Sequence, residues 1–398
     1  MNIILAGGGK VGMTLARNLS AEGHDLTLID RNKAKLDACT EQYDVMGVDG
    51  NCASMPVLLR AGVKEADLLI AATNADEVNL LCCMTAHGIN PKLHTIARIR
   101  SPEYTEQIYE MRDAFALSLT VNPERQAALE IERLLKYPGF LRRDTFAKGN
   151  IEIVELRIGS GSKLCNLSLS EMYSTVKARV LVCTVLRGEQ TIAPKGDFVL
   201  REGDRIFITA TTKNLTLLLK NLGILTRPVR SCLLCGGDRI SYYLAGLLEK
   251  DGIAVKIIER DPKRCRALAE ELPGADVIEG DCSNQTTLEN ERISLYDAVV
   301  TLTGLDEMNM IVSLYAASRQ VRQVITKLGR PENNPIAASI SLGSIICPRE
   351  LSSNQILRYV RAIRIRRARL SPSIPLPTGR RKRWSFWSKR ERSTAANR

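Results

Sequence analysis

Residues 1–30 read MNIILAGGGKVGMTLARNLSAEGHDLTLID, and this stretch decides the fold. Its apolar start is followed by Gly7, Gly9 and Gly12, which have the spacing G-x-G-x-x-G. A helix-like segment comes next, and then a second apolar run that ends in Asp30. Strand, glycine turn, helix, strand and acid follow one another in this order in a dinucleotide-binding βαβ unit. The pattern therefore predicts the start of a parallel α/β sheet.

Each glycine has its own expected role. Gly7 makes the tight turn, Gly9 lets a pyrophosphate approach the backbone because it has no Cβ, and Gly12 lets the helix pack close to the sheet. The free N–H groups at the helix start attract phosphates. Asp30 is expected to bind a ribose diol and to favour NAD(H) or an adenine nucleotide over NADP(H), although Arg31 weakens that exclusion. The alternative is a glycine turn needed only for packing.

Short apolar strands and helices keep alternating up to about residue 122, which predicts a doubly wound parallel sheet. Ligands in such sheets bind at the carboxyl ends of the strands. The polar residues expected at these ends are Asp30, Asp49, Thr73, Asn74 and Arg98. Each of them alone is equally well explained as a cap or a turn former. Their joint placement predicts one ligand crevice.

The rest of the chain predicts a duplication. CLLCGG at residues 232–237 mirrors residues 3–8, and Glu259 mirrors Asp30. Gly280-Asp281 is matched to Val48-Asp49. Four residues recur at an offset of 230: Thr73, Asp76, Glu77 and Asn79 are repeated as Thr303, Asp306, Glu307 and Asn309. A repeat of this length indicates a duplicated domain.

The second copy has a degraded glycine turn, because Asp238 and Ser241 stand where the first copy has Gly9 and Gly12. An acid in this loop would repel a pyrophosphate, whereas Glu259 is still able to hold a ribose. We expect the second crevice to bind weakly, to take a smaller adenosine-type ligand, or to be purely structural.

The predicted fold class is α/β, with tandem doubly wound (Rossmann-like) parallel sheets and a small α+β lobe between them. Alternating strand-like segments and turns indicate the small lobe, in which we find neither a metal spacing nor a nucleophile–base pair. The expected domains are a dinucleotide-binding lobe (1–122), a crossover helix and linker (123–149), the small lobe (150–222), a linker (223–230), the second nucleotide lobe (231–348), and a helix with a basic tail (349–398).

The net charge of +12 belongs to the end of the chain. Residues 361–398 contain thirteen Lys or Arg and one acid, which together equal the whole net charge. The remaining chain is neutral overall, so any argument from basicity to a partner concerns the tail alone.

Eleven cysteines at no framework spacing fit a reducing cytoplasm. Cys232 and Cys235 form a C-x-x-C pair, but they lie in a strand-like run that points them to opposite faces, so we expect no metal site. No apolar run reaches the roughly 18 residues of a membrane span. The chain starts directly with its first strand, so no signal peptide is expected.

Taken together, these motifs resemble the TrkA family, the peripheral NAD-binding subunits of bacterial Trk potassium-uptake systems, over roughly residues 1–360. Its domains are RCK modules, regulators of potassium conductance. The most specific segments are GGGKVG at residues 7–12, ARIRSPEY at residues 97–104, and PKGD with the later GD at residues 194–204. The resemblance implies that the nucleotide is contacted by Gly7, Gly8, Gly9, Lys10, Val11, Asp30, Thr73, Asn74 and Arg98.

The resemblance also implies partners and location. The helix that starts at Pro123 would pair subunits, and dimers or four-chain rings would dock on a TrkH- or TrkG-like membrane subunit at the cytoplasmic face of the inner membrane. No nucleic-acid partner is implied. The departure is at the end, where a second C-lobe is expected and the chain instead continues into a basic run, residues 380–383, with Trp384 and Trp387. This tail predicts either contact with anionic lipid, or disorder or a reading-frame change.

The predicted function is a non-enzymatic regulatory subunit that gates potassium uptake through ligand-dependent domain movement. NAD(H) is the expected cofactor, with ATP or ADP as alternatives. The rival is an NAD-dependent oxidoreductase, which needs a positioned acid or base in a substrate pocket. All three histidines lie within the first nucleotide domain, and no separate catalytic domain is visible. A third hypothesis is nucleic-acid binding through the tail alone.

Overall fold

The computed structural model describes residues 1–136, 140–146, 151–159, 161–188, 190–223, 228–330, 340 and 342–370. The basic run at residues 380–383, Trp384 and Trp387 lie outside the described residues. The chain divides into two compact units, Met1–Ile356 and Leu357–Arg398. The first unit holds every strand of the described chain, and the second contains the end of the last helix.

The first unit begins with a parallel six-stranded sheet. Its strands are β1 (Asn2–Ala6), β2 (Asp25–Asp30), β3 (Val45–Asp49), β4 (Leu68–Ala71), β5 (His94–Arg98) and β6 (Leu119–Val121). The helices between them are α1 (Lys10–Ala21), α2 (Lys33–Gln42), α3 (Met55–Arg60), α4 (Asp76–Ile89) and α5 (Pro102–Glu110). The strand order β3-β2-β1-β4-β5-β6 is that of a doubly wound dinucleotide-binding fold. The predicted fold class is confirmed.

Burial explains why these segments form strands. Four of the five residues of β1 and all four residues of β4 are buried, as expected when helices cover both faces of a parallel sheet. The predicted first helix, residues 10–22, ends one residue earlier in the structure. β6 was not predicted, because a three-residue strand contains no detectable alternation.

The middle lobe is an antiparallel sheet in the order β10-β9-β11-β8-β7. Its elements are β7 (Phe140–Phe146), β8 (Ile151–Arg157), α7 (Met172–Val176), β9 (Leu181–Arg187), β10 (Gln190–Ile192), β11 (Arg205–Ala210) and α8 (Thr212–Asn221). β7 lies in the segment that the sequence predicts as a linker, and it pairs with β8. The Pro and Gly residues that suggested a linker flank this strand, and the segment FLRRDTF has no regular alternation to reveal it.

One buried ion pair holds the turn before β11. Arg187 donates two hydrogen bonds to the Asp204 carboxylate, at 2.8 and 2.7 Å, and Asp204 is 1% exposed. The hydrogen bonds from Arg187 lower the pKa of Asp204 from its ordinary value. The Gly203-Asp204 motif of this lobe is thereby explained by structure, without a ligand.

The second half repeats the first sheet, in the order β14-β13-β12-β15-β16-β17. Its strands are β12 (Ser231–Cys235), β13 (Ala254–Glu259), β14 (Ala275–Glu279), β15 (Ala298–Thr301), β16 (Gln323–Lys327) and β17 (Ser344–Ile346). Its helices are α9 (Arg239–Lys250), α10 (Pro262–Glu271), α11 (Gln285–Asn290), the 3-10 turn Ile293–Leu295 and α12 (Asp306–Ser318). Two helices follow the sheets, α6 (Pro123–Lys136) after the first and α13 (Pro348–Leu370) after the second.

The register corrects one detail of the repeat. β2 pairs Asp30 with Asp49, and β13 pairs Glu259 with Glu279. The counterpart of Asp49 is therefore Glu279, and the Gly280-Asp281 pair matches Gly50-Asn51. The sequence pattern matched Asp281 to Asp49 because both segments contain a Gly and an Asp side by side, in opposite order.

Cys232 and Cys235 lie on opposite faces of the second parallel sheet, as predicted. Cys232 belongs to the hydrophobic cluster that contains Leu244, whereas Cys235 packs in the cluster that contains Val312. Both thiols are fully buried. The C-x-x-C spacing is therefore a consequence of strand alternation.

α6 packs on the second half of the same chain. Its apolar residues Ala127, Ala128, Ile131 and Leu135 are at most 1% exposed and belong to the core cluster of the second sheet, next to α9. The expectation that this face pairs subunits is therefore corrected. Duplication places in one chain the surface that a second subunit would otherwise supply.

Candidate nucleotide-binding site

The glycine turn has the geometry that its sequence predicts. Gly7 has a φ of +107°, and its N–H donates to the carbonyl oxygen of Ile29 at 2.8 Å. A Cβ at Gly7 would lie 3.0 Å from the backbone of Ala72 and Thr73. Both the backbone conformation and the neighbouring strand therefore require glycine here.

Gly12 and Gly9 have different surroundings. A Cβ at Gly12 would lie 1.9 Å from the carbonyl oxygen of Gly7, so α1 approaches the turn at backbone contact distance. A Cβ at Gly9 would meet nothing within 4 Å. Gly9 is also the N-cap of α1, and no side chain caps the helix start. The N-terminal N–H groups of α1 thus face open space, as a phosphate site requires.

The Asp30 carboxylate is fixed by backbone N–H groups. One oxygen accepts a hydrogen bond from Gly8 at 2.6 Å, and the other accepts from Asn32 at 2.8 Å. The carboxylate lines a cavity of about 370 Å³ with Gly50, Cys52, Thr73 and other residues. Each oxygen retains a lone pair on the cavity side, which suits a ribose diol.

A second cavity, of about 810 Å³, lies between the two halves of the first unit. It shares Gly9, Lys35 and Asn74 with the smaller cavity, so the two are adjacent at the start of α1. Its cationic lining residues are Lys10, Arg17, Lys35, Arg98, Arg100, Lys327 and Arg349, and its acidic ones are Glu124, Asp238 and Asp306. This excess of positive charge suits the phosphates of a nucleotide.

Arg98 is buried, and the charges of Glu124 and Asp76 offset the effect of this burial only in part, so that its pKa stays lowered. The residue is 9% exposed, and its Nε has no hydrogen-bond partner among the described residues. Burial lowers the pKa of Arg98, and the neighbouring charge of Arg100 lowers it further. An arginine stays protonated in proteins, so this lowered pKa marks a guanidinium that is poorly solvated and that an anion would stabilise.

Glu124 faces the same cavity. One of its carboxylate oxygens has no hydrogen-bond partner among the described residues, and burial raises its pKa. The charges of Arg100 and Arg98 act in the opposite direction. The cavity therefore contains buried groups of both signs whose hydrogen-bonding capacity is unused.

A buried asparagine positions Arg98 and Thr73. Asn79 is fully buried; its oxygen accepts from the Thr73 N–H at 2.8 Å and the Thr73 hydroxyl at 2.7 Å. Its amide nitrogen donates to the carbonyl oxygen of Arg98 at 2.8 Å. Asn79 thus ties the ends of β4 and β5 together. The repeat residue Asn309 makes the same bonds to Thr303 and Lys327.

The structure brings most of the predicted site residues together. The residues that line one or both cavities are Gly7, Gly8, Gly9, Lys10, Val11, Asp30, Thr73, Asn74 and Arg98. Gly12 lies beneath the turn. Asp49 is exposed at the end of β3 and lines neither cavity, and its carbonyl oxygen accepts from Arg60. Glu259 lines a separate crevice in the second half.

Sequence reasoning missed several lining residues. Lys35 and Tyr43, at the start and end of α2, lack any motif, and Arg349 belongs to the other half of the first unit. Arg100 lies in the ARIRSPEY segment, but the sequence pattern assigns it no role of its own. Glu124 had no signal of its own beyond its place after Pro123.

Two families of domains match the chain. The family model for the TrkA-N domain matches residues 3–118 and again residues 232–348, and the one for the TrkA-C domain matches residues 153–223. The chain belongs to the TrkA family. A Trk system potassium uptake protein TrkA homolog of Archaeoglobus fulgidus is 33% identical over 366 residues, which cover 92% of this chain and 82% of that protein.

Solved structures share the fold of this TrkA-family chain. The GsuK RCK domain has a TM-score of 0.69 at 18% identity, with 93% of this chain and 78% of that chain covered. The GsuK channel bound to NAD has a TM-score of 0.67 at 18% identity, with 91% of this chain and 64% of that chain covered. The predicted resemblance is confirmed, and so is the predicted function as a regulatory subunit of potassium transport. The oxidoreductase alternative has no support from these relatives.

Single alanine substitutions should separate the two glycine roles. Gly9→Ala is expected to leave the thermal unfolding temperature unchanged, because its Cβ has free space, but to lower the affinity for NADH at least tenfold by blocking close approach. Gly12→Ala is expected to lower the unfolding temperature, because its Cβ would collide with the carbonyl of Gly7. Thermal unfolding and calorimetric titration measure both effects. Unchanged NADH affinity of Gly9→Ala would contradict the phosphate role of this turn.

Proposed function

We propose that this chain senses NAD(H) or an adenine nucleotide in the first crevice and passes the binding event to a membrane potassium transporter. The observation that carries the proposal is the buried Arg98, which lines the larger cavity together with the start of α1 and whose Nε has no hydrogen-bond partner among the described residues. In this proposal residues 1–122 are the sensor lobe, residues 231–348 are the second N-lobe, and residues 150–222 with β7 added are the C-lobe.

The expected pose follows from the geometry. The adenosine occupies the smaller cavity, with its ribose on Asp30. The phosphates lie at the uncapped start of α1, between Lys10, Lys35 and Arg98, and the remainder of the ligand extends into the larger cavity. A 2′-phosphate would meet the Asp30 carboxylate, so NAD(H) is favoured over NADP(H).

This pose gives binding a route to domain movement. The larger cavity is also lined by Arg349 of the second half, so an anion bound there interacts with both halves. A ligand shifts a conformational equilibrium only by its difference in affinity between the two states. A coupling of about 1–3 kcal/mol, the usual range, changes an affinity or an opening equilibrium about 5- to 150-fold.

The proposed partner is a TrkH- or TrkG-like membrane subunit at the cytoplasmic face, since the named relative is a potassium uptake protein. In the described part of the chain no helix is long and apolar enough to cross a membrane. The proposal includes no enzymatic step. None of the three histidines lines either cavity of the first crevice, where a hydride-transfer enzyme would position its acid or base.

We also propose that the chain forms a homo-oligomer, a dimer or a tetramer, through α4 and α12. Leu81 and Met84 of α4 are 53% and 42% exposed. Their counterparts at an offset of 230, Ile311 and Leu314 of α12, are 59% and 39% exposed. An apolar patch repeated at equivalent positions in both halves favours a protein interface.

Calorimetric titration of the full chain with NADH, NAD, ATP and ADP tests the ligand. Asp30→Ala is expected to weaken binding in the first crevice at least tenfold, because it removes the ribose acceptor. Asp49→Ala is the matched control, since this acid ends the neighbouring strand outside the cavities, and it should bind normally. Equal losses of nucleotide affinity in both variants, or no nucleotide binding by the wild type, would contradict the proposal.

Replacement of Arg98 by methionine should weaken binding without weakening the fold. Loss of a charge-assisted hydrogen bond to phosphate corresponds to about 1.5–3 kcal/mol, or roughly a 10- to 150-fold lower affinity. The unfolding temperature of the free chain should be unchanged or higher, because the substitution removes a charge whose burial costs free energy. Potassium uptake by cells that depend on this chain should lose its response to nucleotide. Uptake that keeps this response while affinity falls would contradict the coupling.

Aspartate at the repeated apolar patch should disrupt assembly. Leu81→Asp with Ile311→Asp is expected to shift the chain to a smaller species in sedimentation velocity. Met55→Asp is the control, because Met55 is 53% exposed but its counterpart is the polar Gln285. An unchanged sedimentation coefficient in the double variant would exclude this interface.

A further inference from the structure

The second half contains a crevice of its own at the carboxyl ends of β12, β13 and β15. This cavity has a volume of about 550 Å³. Ile258, Leu302 and Met308 provide apolar walls, and Glu259 and Thr303 contribute polar groups. An apolar slot with a few fixed polar groups is the usual form of a small-molecule site.

Glu259 is held like Asp30. One of its oxygens accepts from the Gly237 N–H at 2.6 Å. The other accepts from the N–H groups of Arg260 and Asp261, at 2.8 and 2.9 Å. The carboxylate is therefore immobilised at the same place relative to the glycine turn, where it faces the cavity. The oxygen bonded to Gly237 retains a lone pair for a ribose hydroxyl, whereas the other oxygen already accepts two hydrogen bonds.

The phosphate-binding end is occupied by the protein itself. Asp238 is the N-cap of α9, and its Oδ1 accepts from the N–H groups of Ile240 and Ser241 at 2.9 and 3.1 Å. Its Oδ2 accepts from Lys327 at 2.6 Å. Lys327 stands at the position of Arg98 at the end of the matching strand. The helix N-terminus and the cation that would serve a phosphate are thus already paired with a carboxylate.

A side-chain hydrogen bond also fills the glycine turn of the second half at the position that corresponds to Gly12. Ser241 replaces the glycine that the first half has at position 12, and its hydroxyl donates to the carbonyl oxygen of Gly236. Ser241 is fully buried. The Ser241 hydroxyl therefore bonds the turn at the position where the first half has Gly12, which has no side chain.

The charge around this crevice disfavours an anion. Its acidic lining residues are Asp238, Glu259, Asp261 and Asp281, and its basic ones are Arg260 and Arg264. Arg264 is engaged with the carbonyl oxygen of Gly237 at 2.8 Å. Hydrogen bonds from Ser283 lower the pKa of Asp281, so this carboxylate is ionised at neutral pH. The first crevice has the opposite balance.

We propose that the second crevice binds a nucleoside that carries no 5′-phosphate, with its ribose diol on Glu259 and its base in the apolar slot. The inference rests on the proposed function in giving Glu259 the ribose role of Asp30. The chain would then have two sites of different ligand class: a nucleotide in the first half and an uncharged nucleoside in the second.

The test uses the full chain with Asp30→Ala, which weakens the first site, titrated calorimetrically with adenosine and with ADP. Adenosine is expected to bind at one site per chain, and ADP at least tenfold more weakly. Adding Glu259→Ala should abolish adenosine binding, while adding Glu279→Ala, an exposed acid at the end of β14, should not. Failure of adenosine to bind, or tighter binding of ADP, would overturn the inference.

A gain-of-function variant tests the role of the internal carboxylate. Asp238→Gly restores the residue type of Gly9 and frees the start of α9 and Lys327. It should lower the ratio of the adenosine affinity to the ADP affinity at least tenfold. A glycine N-cap weakens a helix by only a few tenths of a kcal/mol, so the fold should persist. An unchanged preference would show that Asp238 does not exclude phosphate.

Two further titrations separate this inference from the proposed function. NADH binding by Glu259→Ala in the otherwise native chain reports on the first crevice alone. Its loss, with adenosine still bound by the Asp30→Ala chain, would reject the first-crevice proposal and leave the second-crevice inference standing. Adenosine titrated into wild-type chain saturated with NADH repeats the measurement without a variant, and no residual binding there would count against the second site.

Discussion

The burial of α6 in the core of the second half is the interaction on which the rest of the structure depends. Ile131 and Leu135 belong to one hydrophobic core with α9 and the second sheet, and burial of such a side chain contributes about 1.5–3 kcal/mol. Polar contacts surround this core: Lys136 pairs with Asp251 at 2.7 Å, and Gln323 donates to the carbonyl oxygen of Leu134 at 2.6 Å. Without this packing the larger cavity would have only one wall.

The same packing reaches the candidate site directly. Tyr243 of α9 donates to the carbonyl oxygen of Arg100 at 3.1 Å and accepts from Asn122 at 3.0 Å. On the other side, Asn18 of α1 donates to Ser353 at 2.9 Å. A rearrangement between the halves must therefore change contacts beside Arg98 and along α1. This connection gives the proposed nucleotide response a physical path through hydrogen-bonded elements.

The two halves share a scaffold and differ at the phosphate end. The buried asparagines, Asn79 and Asn309, join the same strand ends in both halves. Hydrogen bonding within the fold therefore explains the Asn of the repeated D-E-x-N motif. At the phosphate end the first half leaves the Nε of Arg98 without a hydrogen-bond partner among the described residues, whereas the second half pairs Lys327 with Asp238. An unused buried donor suits an anionic ligand better than a cation that already bonds a carboxylate.

The sequence by itself determined the class of fold and the duplication, and it predicted many of the residues that line the cavities of the first half. Those properties follow from local features: apolar runs at strand length, glycines with fixed spacing, and polar residues such as Asp30 and Thr73 at the ends of strands. It could not place Asp49 correctly, because a strand end predicts proximity to the crevice but not the direction in which the side chain points. β7 was missed for a related reason, since flanking Pro and Gly residues outweighed a weak strand pattern.

Only the tertiary structure decided where α6 packs and which residues complete the site. A broad apolar face predicts that a helix is buried, but the pattern is the same whether the partner is its own domain, another subunit or the repeated half. The role of Arg349 depends on that choice, because it lines the same cavity as Arg98 only when the two halves face each other. The unused Nε of Arg98 is likewise a property of the assembled cavity, since it depends on what surrounds the guanidinium in space.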